Sequence, residues 1–213
     1  MTRKSTKPTV FVSYCHSDIN HECLEYFIDS LKEVCGGKLE ILIDSRNLKV
    51  GDDINQYMQQ VENSVCAIVI FTPSYKLKVL EDKDGVSKEY KMIMEKLRQQ
   101  QVVDNTIEDD VETSPISRFE VIPILFSGDS KTSITKEFET LLYEDFRELK
   151  INKRRGTNVI PKALETKFQK KIKGISEKIT TTAVLSLADF QAYYEEYFKI
   201  LFKESKSEWS KPE

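Results

Sequence analysis

The chain alternates short apolar runs with stretches whose apolar residues recur every three or four positions. The short runs predict five β-strands, at residues 9–14, 39–43, 65–71, 119–126 and 142–149. The periodic stretches predict helices at residues 19–34, 51–63, 86–100 and 164–179. Strands that alternate with helices are typical of a parallel sheet with right-handed crossover connections. The sequence therefore predicts an α/β fold built on an open, doubly wound parallel sheet.

Two of the predicted strands carry further information. Residues 65–71 are nearly all apolar, which indicates a strand buried on both faces. Pro123 lies inside the fourth strand and cannot donate a ladder hydrogen bond. We therefore expect this strand to be bent or to lie near an edge of the sheet.

Charge is unevenly distributed in two segments. Residues 101–118 are acidic, and we expect them to form an exposed loop. Residues 150–178 hold ten Lys and Arg residues against two Glu residues. The common interpretation of such a run is the solvated face of a helix, and a phosphate-binding patch is the alternative.

The last segment, residues 181–213, contains seven aromatic residues, and several of them share one side of a predicted helix. We expect a domain at 1–180 followed by this aromatic-rich helical extension. The extension either packs back on the domain or contacts another copy or another chain.

Composition narrows the class of protein. Apolar residues make up 39% of the 213 and charged residues 31%, which is typical of a soluble globular chain. A net charge of −3 argues against a basic surface for nucleic acid, and no apolar run approaches the ~18 residues of a membrane span. The N-terminus lacks the features of a secretory signal, and the four cysteines include no CxxC pair. We therefore expect a cytoplasmic protein without disulfides, membrane contact or nucleic-acid binding.

Ligands of open parallel sheets bind outside the carboxyl ends of the strands. The polar residues that follow the first three predicted strands are Ser13, Tyr14, His16, Ser17 and Asp18; then Asp44, Ser45, Arg46, Asn47 and Gly51; then Thr72, Ser74 and Tyr75. The chain has no GxGxxG and no P-loop, which disfavours a Rossmann dehydrogenase and a P-loop NTPase. Only two histidines are present, so we expect no metal site.

Three stretches together resemble the TIR domain family. VFVSYCHSD resembles its first box, IDSRNLKVGDDINQYMQQVENSVCAIVIFTPSYK the stretch that follows, and VIPILF its fourth strand. The order and spacing of these motifs match over residues 8–178, and TPSYK…DGVSKE also resembles the related SEFIR domains. The resemblance implies a flavodoxin-like sheet of five parallel strands with helices on both faces.

The resemblance implies one of two functions, NAD⁺ cleavage or a non-catalytic adaptor role through self-association. Many TIR domains cleave NAD⁺ at the nicotinamide–ribose bond, with an essential glutamate that matches Glu89 here. Nicotinamide leaves as a neutral molecule and needs no general acid, so one carboxylate that stabilises the positive ribose suffices. Without the resemblance, Glu89 would be interpreted as an exposed residue in the first turn of a helix.

The resemblance also suggests where the substrate binds. Relatives contact the nucleotide at the end of the first strand, Tyr75 could stack on a ring, and a basic residue of the second polar loop could meet the pyrophosphate. The expected substrate-binding residues are Ser13, Tyr14, Asp44, Arg46, Lys49 and Tyr75. NAD⁺ would be the substrate, and no cofactor is expected.

The leading hypothesis is an NAD⁺ glycohydrolase that is activated by self-assembly, in immune or anti-phage defence signalling. Its partners would be other copies of itself and a sensor that binds the C-terminal helix. The alternative is a non-catalytic TIR or SEFIR-like adaptor, favoured by Gly85, which stands where several NAD-cleaving relatives carry Trp. A third hypothesis is a TIR enzyme that releases a cyclic ADP-ribose.

Overall fold

The computed structural model describes residues 7–44, 57–82, 84–106, 119–149, 151–154, 157–162 and 164–183. Its main sheet contains five strands, which are β1 (Thr9–Ser13), β2 (Glu40–Leu42), β3 (Cys66–Phe71), β4 (Glu120–Leu125) and β5 (Glu144–Asp145). Their order is β2-β1-β3-β4-β5, and every neighbouring pair is parallel. This is the flavodoxin-like order, so the expected fold class is confirmed.

All helices except the last lie between consecutive strands of the main sheet. The helices are α1 (His21–Val34), α2 (Gln60–Asn63), α3 (Pro73–Glu81), α4 (Gly85–Thr106), α5 (Ser130–Ser133) and α6 (residues 164–183). A 3₁₀ turn spans Lys136–Phe138, and β6 (Asn152–Arg154) pairs antiparallel with β7 (Thr157–Val159). The sequence pattern did not predict α3, α5 or this hairpin.

The two faces of the sheet carry separate hydrophobic clusters. On one face, α1 and α6 pack against the strands, and the Phe146 ring lies 5.2 Å from those of both Phe27 and Phe168. On the other face, α3 and α4 pack against Phe11 and Phe71. Because both faces are covered, all six residues of β3 in the middle of the sheet are buried. The prediction for this strand is confirmed.

Pro123 lies where the sheet is about to end. β4 pairs with β3 along all six residues, with Pro123 opposite Val69. On its other side, β4 pairs with β5 only at Ile124 and Leu125. Pro123 therefore needs no ladder partner toward β5, and the expected position near an edge is confirmed.

The two charged segments have different outcomes. Residues 101–106 are the last turns of α4, so the expected loop is wrong for this part, and 107–118 lie outside the described residues. In the basic segment, Lys167, Lys170 and Lys173 are exposed on α6, as a solvated helix face requires. Lys178 also pairs with Glu120 at 2.8 Å, so part of this charge is neutralised by the sheet.

The last described helix, the cysteines and the hydropathy of the helices are the remaining features of the fold. α6 continues to residue 183, and the tail at 184–213 lies outside the described part of the chain. Cys15, Cys23, Cys35 and Cys66 are all buried and have free thiols. Within the described residues, no helix has the length and apolar character that a membrane span needs.

Gly128, after β4, tests how tightly this edge is packed. Its φ of +74° favours glycine, and an added Cβ would lie 2.1 Å from Ser133 Oγ and 2.8 Å from Pro73 Cγ. We expect Gly128→Ala to lower the free energy of unfolding by about 1–3 kcal/mol in denaturant titrations. Gly85→Ala is the control, because a Cβ there meets nothing within 4 Å. Equal effects of the two substitutions would contradict the prediction.

Candidate active site

Glu89 occupies a sheet-facing position of α4. The buried residues Val86, Tyr90 and Ile93 define the face of α4 that packs on the sheet. Glu89 lies three residues after Val86 and four before Ile93, so it belongs to the same face. Its side chain is partly buried and accepts a partly buried hydrogen bond from Ser13. The interpretation of Glu89 as an ordinary exposed residue is therefore wrong.

A chain of two hydrogen bonds holds the Glu89 carboxyl group. Ser13 Oγ, at the end of β1, donates to Glu89 Oε2 over 2.7 Å. Tyr75 Oη lies 3.0 Å from Ser13 Oγ. The serine hydroxyl has one hydrogen and gives it to Glu89, so Tyr75 must donate to Ser13. Ser13 and Tyr75 are both 0% exposed, so the bond between them is shielded from water.

The start of α3 fixes Tyr75 in this position. Thr72 is the N-cap of α3 and accepts a hydrogen bond from Tyr75 N at 3.1 Å. Asp18 accepts from Thr72 Oγ1 at 2.6 Å and from Ser74 N at 2.8 Å, which ties the loop after β1 to this helix. The Tyr75 ring packs edge-on against Phe71. Because this ring is fully buried, it offers no face for stacking on a ligand, and that expectation is corrected.

The electrostatics of the site favour a cationic ligand. Burial raises the pKa of Glu89 to about 8, and the nearby Asp44 and Asp84 act in the same direction against the Ser13 hydrogen bond. Among the residues that the structure describes, no cationic side chain pairs with Glu89. Lys78 pairs with Asp84 at 2.9 Å, and His16 with Asp44 at 2.7 Å. A positive charge beside Glu89 would lower its pKa and ionise it.

His16 and Asp44 join the loops that follow β1 and β2. His16 Nε2 lies 2.7 Å from Asp44 Oδ2, and the His16 ring packs on Tyr14 with centroids 4.6 Å apart. The sequence placed His16 among the polar residues of this edge but assigned it no role. Its pairing could not be inferred, because the two residues are 28 positions apart.

Most of the expected site residues lie at this edge. Ser13 donates a hydrogen bond to Glu89, and Tyr75 is hydrogen-bonded to Ser13. The charge of Asp44 raises the pKa of Glu89. Tyr14 is buried beside His16. Arg46 and Lys49 lie outside the described residues. In the described ranges, no group of three or more His, Cys, Asp or Glu residues could hold a metal ion.

Sequence reasoning also missed Tyr57. Its side chain is buried against Phe11. Burial raises the pKa of its hydroxyl, and the charges of Asp44 and Glu89 raise it further. An available signal was its place in the predicted second helix, next to Met58 and one helical turn before Val61 on the apolar side.

Comparison with known proteins identifies the family. The family model described as TIR domain matches residues 10–158, which is most of the chain. The chain belongs to the TIR domain family. Among solved structures, it is similar to the TIR domain of the Toll-related receptor TRR-2 from Hydra magnipapillata, with 14% identity and a TM-score of 0.44. That match covers 79% of this chain and 97% of the Hydra chain. No curated protein matches the sequence significantly.

The first prediction for this TIR domain concerns Ser13. The Ser13 hydrogen bond lowers the pKa of Glu89, so Ser13→Ala should raise that pKa above about 8. Carbon-13 NMR of glutamate-labelled protein measures it directly, with Glu89→Gln used to assign the signal. Ser133→Ala, at a buried serine that binds the Ser127 carbonyl, is the control and should leave the titration unchanged. An unchanged pKa in Ser13→Ala would show that the hydrogen bond does not hold the carboxyl group.

The second prediction concerns stability and pH. The folded protein holds the Glu89 proton more tightly than the unfolded chain, in which the pKa is near 4.5. The contribution of this group is therefore present below pH 4.5 and is lost as the pH rises to about 8. We expect the melting temperature of Glu89→Gln, measured relative to that of the wild type, to rise progressively across this pH range. Above about pH 8 this difference should become constant.

Thermal unfolding from pH 5 to pH 9 measures this difference. Glu95→Gln is the control on the same helix, because the Glu95 side chain is 61% exposed. Parallel curves for wild type and Glu89→Gln would contradict the prediction.

Proposed function

We propose that this TIR domain is an NAD⁺ glycohydrolase and that Glu89 is its catalytic residue. The observation that supports this most is the partly buried Glu89 carboxyl group, which no cation in the described part of the chain neutralises. A structural glutamate in such a place would ordinarily be paired or replaced, because an uncompensated buried charge is costly.

The proposed reaction needs little more than this carboxylate. The bond between C1′ of the ribose and the nicotinamide nitrogen breaks, and its electron pair neutralises the pyridinium. Positive charge then develops at C1′ and on the ring oxygen, and Glu89 stabilises it. Water attacks C1′, and its proton is released to solvent. The cationic substrate itself lowers the pKa of Glu89, so binding produces the ionised form that the reaction needs.

The surrounding residues have supporting roles in this proposal. Ser13 orients the Glu89 carboxylate through its hydrogen bond, and Tyr75 holds Ser13 in place. Neither residue contacts the substrate in this proposal. Asp44 and His16, with Tyr14 beside them, line the neighbouring strand ends. Arg46 or Lys49 is proposed to meet the pyrophosphate.

We extend the proposal to the setting of the enzyme. Activity is gated by assembly with other copies, and a sensor that acts through the C-terminal segment raises the local concentration. The function is a cytoplasmic one, in immune or anti-phage defence through NAD⁺ depletion. Release of a cyclic ADP-ribose would use the same Glu89.

A non-catalytic adaptor is the second candidate, and two observations favour it. Gly85 leaves open space where several NAD-cleaving relatives carry Trp, since an added Cβ there meets nothing within 4 Å. Leu77 and Leu80 on α3 are 54% and 71% exposed, which suits a contact surface.

The test is NAD⁺ consumption by purified protein, dilute and then crowded. We expect the rate per molecule to rise with concentration and to fall at least about 100-fold in Glu89→Gln, with Glu95→Gln unaffected. The kcat/KM of the wild type should rise with pH up to about 8, because free Glu89 must lose its proton.

Chromatography of the products separates ADP-ribose from a cyclic form. An intact NAD⁺ pool under every condition, with normal folding and self-association, would reject the enzyme and leave the adaptor.

A further inference from the structure

Tyr57 carries a buried hydroxyl group without a hydrogen-bond partner. It lies just before α2, and its ring packs on Phe11 with centroids 5.4 Å apart. The residue is 8% exposed, and in the part of the chain that the structure describes Tyr57 Oη bonds to nothing. Leaving a buried hydroxyl unsatisfied costs more than replacing it with an apolar group. Such an exception therefore needs a reason.

The position of this hydroxyl points to the site of Glu89. Phe11 and Ser13 are two residues apart on β1 and face the same side of the sheet, so Tyr57 lies on the side where Ser13 meets Glu89. Burial raises the pKa of Tyr57, and Asp44 and Glu89 raise it further. The charges of both carboxyl groups therefore act on Tyr57 Oη, which keeps its proton at physiological pH. It remains a hydrogen-bond donor.

The polar groups at this edge of the sheet define the ligand chemistry. Ionised Asp44 and Glu89 can only accept hydrogen bonds, whereas Tyr57 can donate one. A ligand hydroxyl satisfies both, since it donates to a carboxylate and accepts from the phenol. Two adjacent hydroxyls satisfy more of these groups at once than a carbonyl or a phosphate, because both of the latter only accept. The arrangement is therefore complementary to a vicinal diol.

We propose that Tyr57 is a further substrate-binding residue, whose hydroxyl donates to the diol of the ribose that carries the bond to be broken. This inference rests on the proposed glycohydrolase function. It adds a hydrogen-bond donor that does not belong to the Tyr75–Ser13–Glu89 chain of hydrogen bonds. It also accounts for a tyrosine where phenylalanine would pack equally well.

The experiment combines stability with substrate analogues. Tyr57→Phe removes only the hydroxyl, so its melting temperature should equal or exceed that of the wild type. Its kcat/KM for NAD⁺ should fall about tenfold, the effect of one hydrogen bond. With an NAD⁺ analogue that lacks the 2′- or the 3′-hydroxyl of the nicotinamide ribose, wild type and Tyr57→Phe should become equal for one of the two.

Tyr26→Phe is the matched control. Tyr26 Oη accepts a hydrogen bond from Gln169 Nε2 at 3.1 Å, on the α1–α6 side of the sheet. This variant should lose a little stability and keep its kcat/KM, the reverse of Tyr57→Phe. A marked loss of stability in Tyr57→Phe would show a structural partner for the hydroxyl and overturn the inference. So would the same fold loss with NAD⁺ and with both deoxy analogues.

Failure of the proposed function remains distinguishable. If the wild type does not consume NAD⁺, calorimetry of NAD⁺ and the two analogues with wild type and Tyr57→Phe replaces the kinetics. NAD⁺ affinity that falls in Tyr57→Phe, and equal affinity of both proteins for one analogue, would support the role of Tyr57 in a non-catalytic site. No binding of NAD⁺, or binding indifferent to Tyr57, would overturn it.

Discussion

The candidate site depends on the hydrogen bond from Ser13 to Glu89. It joins the end of β1 to the first turns of α4, and it is the only polar contact that the described structure gives the Glu89 carboxyl group. One neutral donor offsets only part of the cost of removing a carboxylate from water. The surrounding fold must therefore hold both partners in place. The six buried residues of β3 and the Thr72 cap, which Asp18 braces, supply that rigidity.

Neighbouring charges make the Glu89 site different from a surface ion pair. Asp84 and Asp44 each have a basic partner, Lys78 and His16. Burial raises the pKa of Glu89, and the charges of Asp44 and Asp84 raise it further. A carboxylate bound to lysine would be ionised and satisfied before any ligand arrived. Glu89 instead gains most when a cation enters, and a group of this kind can stabilise charge that develops during a reaction.

The sequence predicted the sheet from its apolar runs, and it predicted the edge at which the site lies from the polar residues that follow the strands. Glu89 itself was identified only through the family resemblance, because its local pattern was interpreted as that of an exposed helix residue. The helix α3 was missed because Pro73-Ser74-Tyr75 was interpreted as a loop, although Thr72 followed by proline is a helix start signal. The partners of Glu89 could not be predicted from the local pattern. Ser13 is 76 residues from Glu89 and 62 from Tyr75, and only the strand order brings the three together.

The Glu89 carboxyl group and the Tyr57 hydroxyl, both at this edge of the sheet, each reduce the stability of the fold. Glu89 is held in a form that resists ionisation, and Tyr57 keeps a hydroxyl that nothing in the described structure satisfies. A surface used only for docking would need neither. The exposed leucines show that contact and chemistry need not be alternatives, since α3 directs Tyr75 inward and Leu77 and Leu80 outward.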